Sequence, residues 1–155
     1  MSEIITEKHE EPAPIIGGWT INEAMDPAEN KEAMEAFNKA TDSLEGYRYE
    51  VVAVLGSQVV AGMNYSYLCK GEAVIPDAKP EYVMVNVYED LDGNAEITES
   101  LSLLDGKKGW EYNRGNASLK ENPDVDIIFN KALKEHVGVV YDPIAYIGKK
   151  IIHTL

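Results

Sequence analysis

The sequence predicts an α+β fold in which an antiparallel sheet wraps around one helix and is followed by a strand–helix–strand half-repeat. Three observations support this prediction. An amphipathic helical segment lies near the start of the chain, two stretches of alternating side chains follow it, and the end of the chain partly repeats the beginning. A lone helix before two hairpins buries its apolar stripe only when the sheet packs against it.

Residues 27–45 are predicted to form the helix. Asp26 is a favourable N-cap, Pro27 suits the first helical position, and Glu29 completes a motif that resembles a capping box. Gly46 suits the position after the last turn, because glycine adopts left-handed backbone at little cost. One apolar stripe recurs at helical spacing and is expected to face the core: Met34, Phe37, Ala40 and Leu44.

The first predicted hairpin carries valines at its tip. Side chains alternate from Tyr47 to Leu55 and again from Met63 to Cys69, on either side of the sequence QVVAG at residues 58–62. Water favours Asn, Asp or Gly at a hairpin tip. Exposed valines there recover solvation free energy when a partner covers them, so the tip indicates a contact surface.

A second hairpin is predicted after a proline-containing loop, GEAVIPDAKPE. Its strands are expected at Tyr82–Glu89 and Ala95–Leu104. The turn between them, Asp90–Asn94, contains the pair Asp92-Gly93, which supplies the left-handed backbone that a tight turn requires.

The charge balance argues against partners that carry phosphate. The 14 basic and 27 acidic side chains leave a net charge of −13, which repels nucleic acid and anionic membrane surfaces. Cys69 is the only cysteine, so no intrachain disulfide forms, and it is predicted to be a small buried hydrophobe. Residues 1–14 are polar and contain two prolines, which predicts disorder. They have no apolar stretch of the kind found in signal peptides, so no signal peptide is expected. We therefore expect a cytoplasmic protein.

The last part of the chain is predicted to be a partial copy of the first. The sequence FNKA at residues 129–132 repeats residues 37–40, and eight of the 27 positions from 37–63 are identical in 129–155. The stretch KKGWEYN echoes IGGWTIN, and Asn122-Pro123 again suits the start of a helix. A strand, VVYDPIAYIGKKIIHTL, is predicted to end this copy.

The chain is thus divided into residues 1–14, a domain at 15–104 and a half-repeat at 105–155. A lone strand–helix–strand unit cannot cover its apolar face or pair its strand edges. It is expected either to dock on the first unit or to be completed by another chain. We favour a homo-oligomer that forms through the half-repeat.

The order of segments in residues 15–104 resembles the cystatin family of cysteine-protease inhibitors, and most closely the disulfide-free stefins. The resemblance rests on IIGGW, on YRYEVVAVLGSQVVAGMNY with its Q-x-V-x-G motif, and on VNVYEDLDGNAEIT. It implies a cystatin-like fold. It also implies a reversible, non-covalent inhibitor that blocks the cleft of a papain-like protease, with no cofactor and no catalysis of its own.

The resemblance assigns the protease contacts to an N-terminal glycine segment and two hairpin loops. The implied contact residues are Ile15, Ile16, Gly17 and Gly18, then Gln58, Val59, Val60, Ala61 and Gly62, and finally Leu91, Asp92 and Gly93. The family has Pro-Trp or Leu-Pro in the second loop, so Asp92 is a departure from its pattern. In the half-repeat the first loop has become KKIIHT, and no inhibition is expected from that copy.

A second class of function stays open, a non-inhibitory cystatin-like module for protein interaction or assembly. Asp92 and the truncated copy favour it, whereas QVVAG and Gly17 favour inhibition. No phosphate loop or nucleophile motif is present, so an enzyme is not expected. A small-ligand pocket between helix and sheet has no convergent polar cluster to support it. The histidines show no metal-ligand spacing: His9, His136 and His153.

Overall fold

A computed structural model describes residues 17–153. The predicted disorder of residues 1–14 and the predicted contacts of Ile15 and Ile16 lie outside the described residues. Neither helix within residues 17–153 is long and apolar enough to cross a membrane. The elements are β1 (Trp19–Ile21), α1 (Lys31–Thr41), β2 (Tyr47–Val60), β3 (Gly62–Ala73), β4 (Glu81–Glu89), β5 (Ala95–Ser102), β6 (Trp110–Tyr112), α2 (Pro123–Leu133) and β7 (Gly148–Lys150).

The first five strands form one antiparallel sheet in the order β1-β2-β3-β4-β5. β2 and β3 form a long hairpin whose pairing runs from Tyr47 and Ala73 to Val60 and Gly62. Both predicted hairpins are present, and the predicted α+β class with an antiparallel sheet is confirmed. β3 continues to Ala73, so the loop before β4 is shorter than predicted.

The predicted helix is too long at both ends. The Asp26 carboxylate accepts from Ala28 N at 2.9 Å and caps a 3₁₀ turn at Pro27–Glu29, and α1 begins only after Asn30. The side chain of Asn30 donates back to Asp26 O at 2.9 Å, which interrupts the helical pattern. Leu44 lies beyond the end of α1 and is 41% exposed, so its assignment to the core stripe is wrong.

Helix α1 packs on one face of the sheet. Phe37 meets Tyr67 edge to face, with ring centroids 4.8 Å apart, and the Tyr67 hydroxyl donates to Ala33 O at 2.6 Å. The hydroxyl is thus satisfied although the side chain is buried. The predicted burial of Cys69 is confirmed, and burial raises the pKa of its thiol to about 12. The helix also contributes Ala33 and Ala36 to this core, and the sheet contributes Val54, Tyr65, Val83, Val85 and Val87.

The half-repeat reproduces the local structure of the first unit. Helix α2 begins and ends 92 residues after α1, and Trp110 pairs with Lys150 as Trp19 pairs with Gln58. The residues before the two helices also match, with φ of −126° and ψ of 62° at Asn30 against −130° and 62° at Asn122. The same backbone arrangement therefore occurs twice in one chain.

The second copy lacks counterparts of β3, β4 and β5 within the described residues. Its predicted last strand is regular only at β7, so the prediction of a strand along VVYDPIAYIGKKIIHTL is wrong for most of that stretch. Within residues 17–153 the stretch before β7 has no neighbouring strand, and Pro143 has no backbone N–H to donate to one. Large apolar side chains stay exposed along it: Val139, Val140, Tyr141, Ile144, Ile151 and Ile152.

The half-repeat docks on the first unit at one end of the sheet. Lys70 Nζ donates to Gly115 O at 3.3 Å, and the rings of Tyr82 and Tyr112 lie 6.3 Å apart. Lys70 of β3 and Tyr82 of β4 are strand partners. They lie far from the tip of the β2–β3 hairpin, near the end of β3 and the start of β4. Docking on the first unit is one of the two outcomes expected from the sequence.

Candidate functional site

The tip of the first hairpin is Ala61, which links β2 to β3 and is exposed. Val59 pairs with Met63 and Val60 pairs with Gly62, and both valines are half-buried. The sequence prediction that the two valines form the tip is therefore corrected, because they are the last residues of β2. They flank the tip and keep part of their apolar surface in water.

Gly62 lets the first hairpin approach the second. Its φ of +111° belongs to the region that favours glycine. A Cβ at this position would overlap the carbonyl oxygen of Glu89 at the end of β4. The Tyr88 hydroxyl donates to Ala61 O at 2.5 Å. The tip is thus fastened to the end of β4 by a close backbone approach and by a hydrogen bond.

The second turn is organised by the side chain of Asp90. Its Oδ1 accepts from Asp92 N and from Asn94 N, both at 2.9 Å, and Gly93 has a φ of +87°. Donation from the backbone of Asn94 is the main cause that lowers the pKa of Asp90 below its ordinary value. The turn is therefore defined by its own short-range hydrogen bonds.

Lys39 of α1 ties the second turn to the helix. Its Nζ donates to Gly93 O at 2.7 Å and lies 2.6 Å from Glu89 Oε2. In the same turn, Leu91 is 81% exposed and Asp92 is also exposed. Among residues 17–153 no ion pair or hydrogen bond to the Asp92 carboxylate exists.

The N-terminal segment runs beside the end of β2. Gly17 N donates to Val59 O at 3.1 Å, and Gln58 Nε2 donates to Gly17 O at 2.8 Å. Gln58 Oε1 in turn accepts from Asn64 Nδ2 at 2.8 Å. Gly18 follows and is half-buried just before β1.

These contacts bring the described parts of the three predicted segments to one edge of the protein. Gly17 touches the first hairpin, and the first hairpin touches the end of β4, from which the second turn begins. The sequence reasoning singled out Gln58 but missed the other residues that hold them together, Asn64, Lys39 and Tyr88. The Asn-Tyr pair after QVVAG was a signal for Asn64, but neither Lys39 nor Tyr88 has a local pattern that marks its role.

The edge presents exposed residues to water, among them Ala61 and Leu91. A shallow depression of about 410 Å³ lies between the start of α1 and the sheet. Its polar side chains Asn22 and Asn30 bond to each other at 3.2 Å and support the local turns. Within residues 17–153 no group of three or more His, Cys, Asp or Glu side chains is arranged to hold a metal ion.

Comparison of the chain with protein-family models, with curated proteins and with solved structures finds no match in any of the three. The sequence motifs and the geometry of this edge are therefore the observations from which a function is inferred.

We predict that Gly62→Ala destabilises the protein more than Gly106→Ala. Gly106 has a φ of +81° but open space around the added methyl, so its substitution costs only the strain of left-handed backbone, about 1–2 kcal/mol. Gly62→Ala adds a collision with the Glu89 backbone, and we expect roughly 3 kcal/mol in the free energy of unfolding. Urea unfolding of both variants measures the difference, and equal losses would contradict the close approach of the two hairpins.

Proposed function

We propose that the protein is a reversible, non-covalent inhibitor of papain-like cysteine proteases, with a cystatin-like fold and mode of action. One observation supports this above all. The described parts of the three segments that carry the cystatin resemblance lie side by side on one edge, joined by hydrogen bonds among Gly17, Gln58, Ala61 and Tyr88. A wedge of this kind fills a protease cleft from above and requires no chemistry from the inhibitor.

The physical properties of the edge suit a cleft. Val59, Val60 and Ala61 have small apolar side chains, which are favourable to bury and place no long reactive group near a nucleophile. The hairpin is fixed by its strand pairing before it binds, so less conformational entropy is lost in the complex. A total interface of about 1,600 Å² would be ordinary for an inhibitor of this class.

The carboxylate of Asp92 in the second turn restricts which proteases the protein can bind well. A carboxylate that enters a cleft without a partner loses its hydration at a large cost in free energy. The protease that this protein inhibits best is therefore expected to offer a cation or hydrogen-bond donors to Asp92. Leu91 beside it supplies an exposed apolar side chain for the same contact.

We propose that the protein acts in the cytoplasm, where thiols stay reduced. Cys69 is buried and free, so the fold needs no oxidising compartment. The inhibitor itself uses no metal and no cofactor in this proposal, since its action is to occupy the cleft.

We predict that the protein inhibits papain and that Val60→Asp weakens inhibition. A charge placed beside the tip should cost about 2 kcal/mol in binding, which is roughly a 30-fold increase in Ki. Ile152 of the half-repeat stands where Val60 stands in the first copy and is 75% exposed. The matched variant Ile152→Asp should leave Ki unchanged. An equal rise in Ki for both variants, or an unchanged Ki for Val60→Asp, would show that the tip is not the inhibitory surface.

A second candidate function, assembly through the half-repeat, has an observation in its favour. Several large apolar side chains of residues 139–152 are exposed, although the corresponding residues 47–60 of the first copy form the paired strand β2. Val140 is 96% exposed, and Ile144 and Tyr141 lie near it in sequence. An accumulation of exposed apolar side chains indicates protein contacts, and we propose a second copy of the chain as the occupant.

We predict that the protein associates at high concentration and that Val140→Lys reduces the association. The control Leu91→Lys changes a comparably exposed apolar residue, at 81%, on the other unit and should leave the assembly intact. Light scattering coupled to gel filtration gives the mass of each variant. A strictly monomeric mass for the unmodified chain would contradict assembly while leaving the inhibition proposal untouched.

A further inference from the structure

We infer that Gln58 and Asn64 are positioning residues that align the N-terminal segment with the first hairpin and do not themselves bind the protease. Because this inference rests on the proposed function, its test includes a measurement on the free protein. The inferred role of Gln58 differs from the direct contact with the enzyme that the cystatin resemblance implies.

The side-chain amide of Gln58 is used inside the protein. Its Oε1 accepts from Asn64 Nδ2 at 2.8 Å, and its Nε2 donates to Gly17 O at 2.8 Å. The first bond decides the orientation, because only Nε2 is then left to donate toward the glycine. Gly17 N also donates to Val59 O at 3.1 Å. Gly17 is thus held through both its carbonyl and its amide.

The half-repeat is an internal comparison that lacks this arrangement. Lys150 takes the strand position of Gln58, opposite the second tryptophan. The chain before β6 does not continue along β7 but closes two turns, with Trp110 N donating to Lys107 O at 3.2 Å and Lys107 N to Leu104 O at 3.0 Å. Where the glutamine is missing, the preceding segment makes turn hydrogen bonds of its own, and Lys108, the counterpart of Gly17, makes no backbone hydrogen bond to this strand among residues 17–153.

Alignment of the N-terminal segment before binding reduces the conformational entropy lost in the complex. It also holds the backbone of Gly17 in place, because the Gly17 amide and carbonyl are both bonded to β2 and its side chains. The two polar residues therefore contribute to inhibition through the segment they hold.

The first test uses the free protein and the variant Asn64→Asp. The new side chain has nearly the same shape but only accepts hydrogen bonds, so Gln58 must turn its Nε2 toward it and its oxygen toward Gly17 O. We expect the hydrogen-exchange protection of the Gly17 amide to fall about ten-fold. The amide of Val54, which donates to Met25 O at 2.8 Å, should keep its protection. Gln58→Met should give the same pattern, and unchanged protection at Gly17 in both variants would overturn the inference.

The second test measures papain inhibition by the full chain. Gln58→Met should raise Ki about ten-fold in the unmodified background, since the segment is no longer aligned. In a chain that carries Ile15→Gly and Ile16→Gly, the same substitution should change Ki less than about two-fold. An equal loss in both backgrounds would mean that Gln58 touches the enzyme, and would overturn the inference. If papain is not inhibited at all, the proposed function fails, and the Gly17 exchange measurement alone decides whether Gln58 and Asn64 hold the segment.

Discussion

The packing of Phe37 against Tyr67 fixes helix α1 on the middle of the sheet, and the geometry of the candidate site depends on it. The contact places Lys39, on the same helix, within reach of Gly93 in the second turn. Tyr67 also belongs to β3, whose first residue is Gly62. One buried aromatic pair therefore links the helix, the first hairpin and the second turn into a single rigid edge, which is what a wedge inhibitor requires.

The duplication separates what local sequence determines from what the sheet determines. The turn before the helix and the pairing of the first strand recur in the second copy, where strands β3 to β5 have no counterpart among the described residues. Capping and turn hydrogen bonds are therefore encoded locally. The long strand is not, because only β7 is regular within residues 139–152, which correspond to β2, and several apolar side chains of that stretch stay exposed. A strand needs a neighbour for both its ladder and its burial.

Sequence patterns predicted the hairpins well, because two-residue alternation and turn residues such as Asp92-Gly93 are local properties. They misplaced the helix ends, since the back-bonding side chain of Asn30 and the exposed position of Leu44 depend on surrounding structure. The sequence could not identify Lys39 and Tyr88 as residues that help to join the three segments. Lys39 and Gly93 are 54 positions apart in the chain, and no local pattern announces such a pair.

The central claim is that the three segments enter a protease cleft together, and hydrogen exchange of the protein in complex with papain tests it most directly. We expect protection to increase, relative to the free protein, at the amides of Gly17, Ala61 and Asp92 and their immediate neighbours, with no change in α2 and β7. Protection confined to the half-repeat, or binding that leaves the amides of the edge unprotected, would contradict the claim.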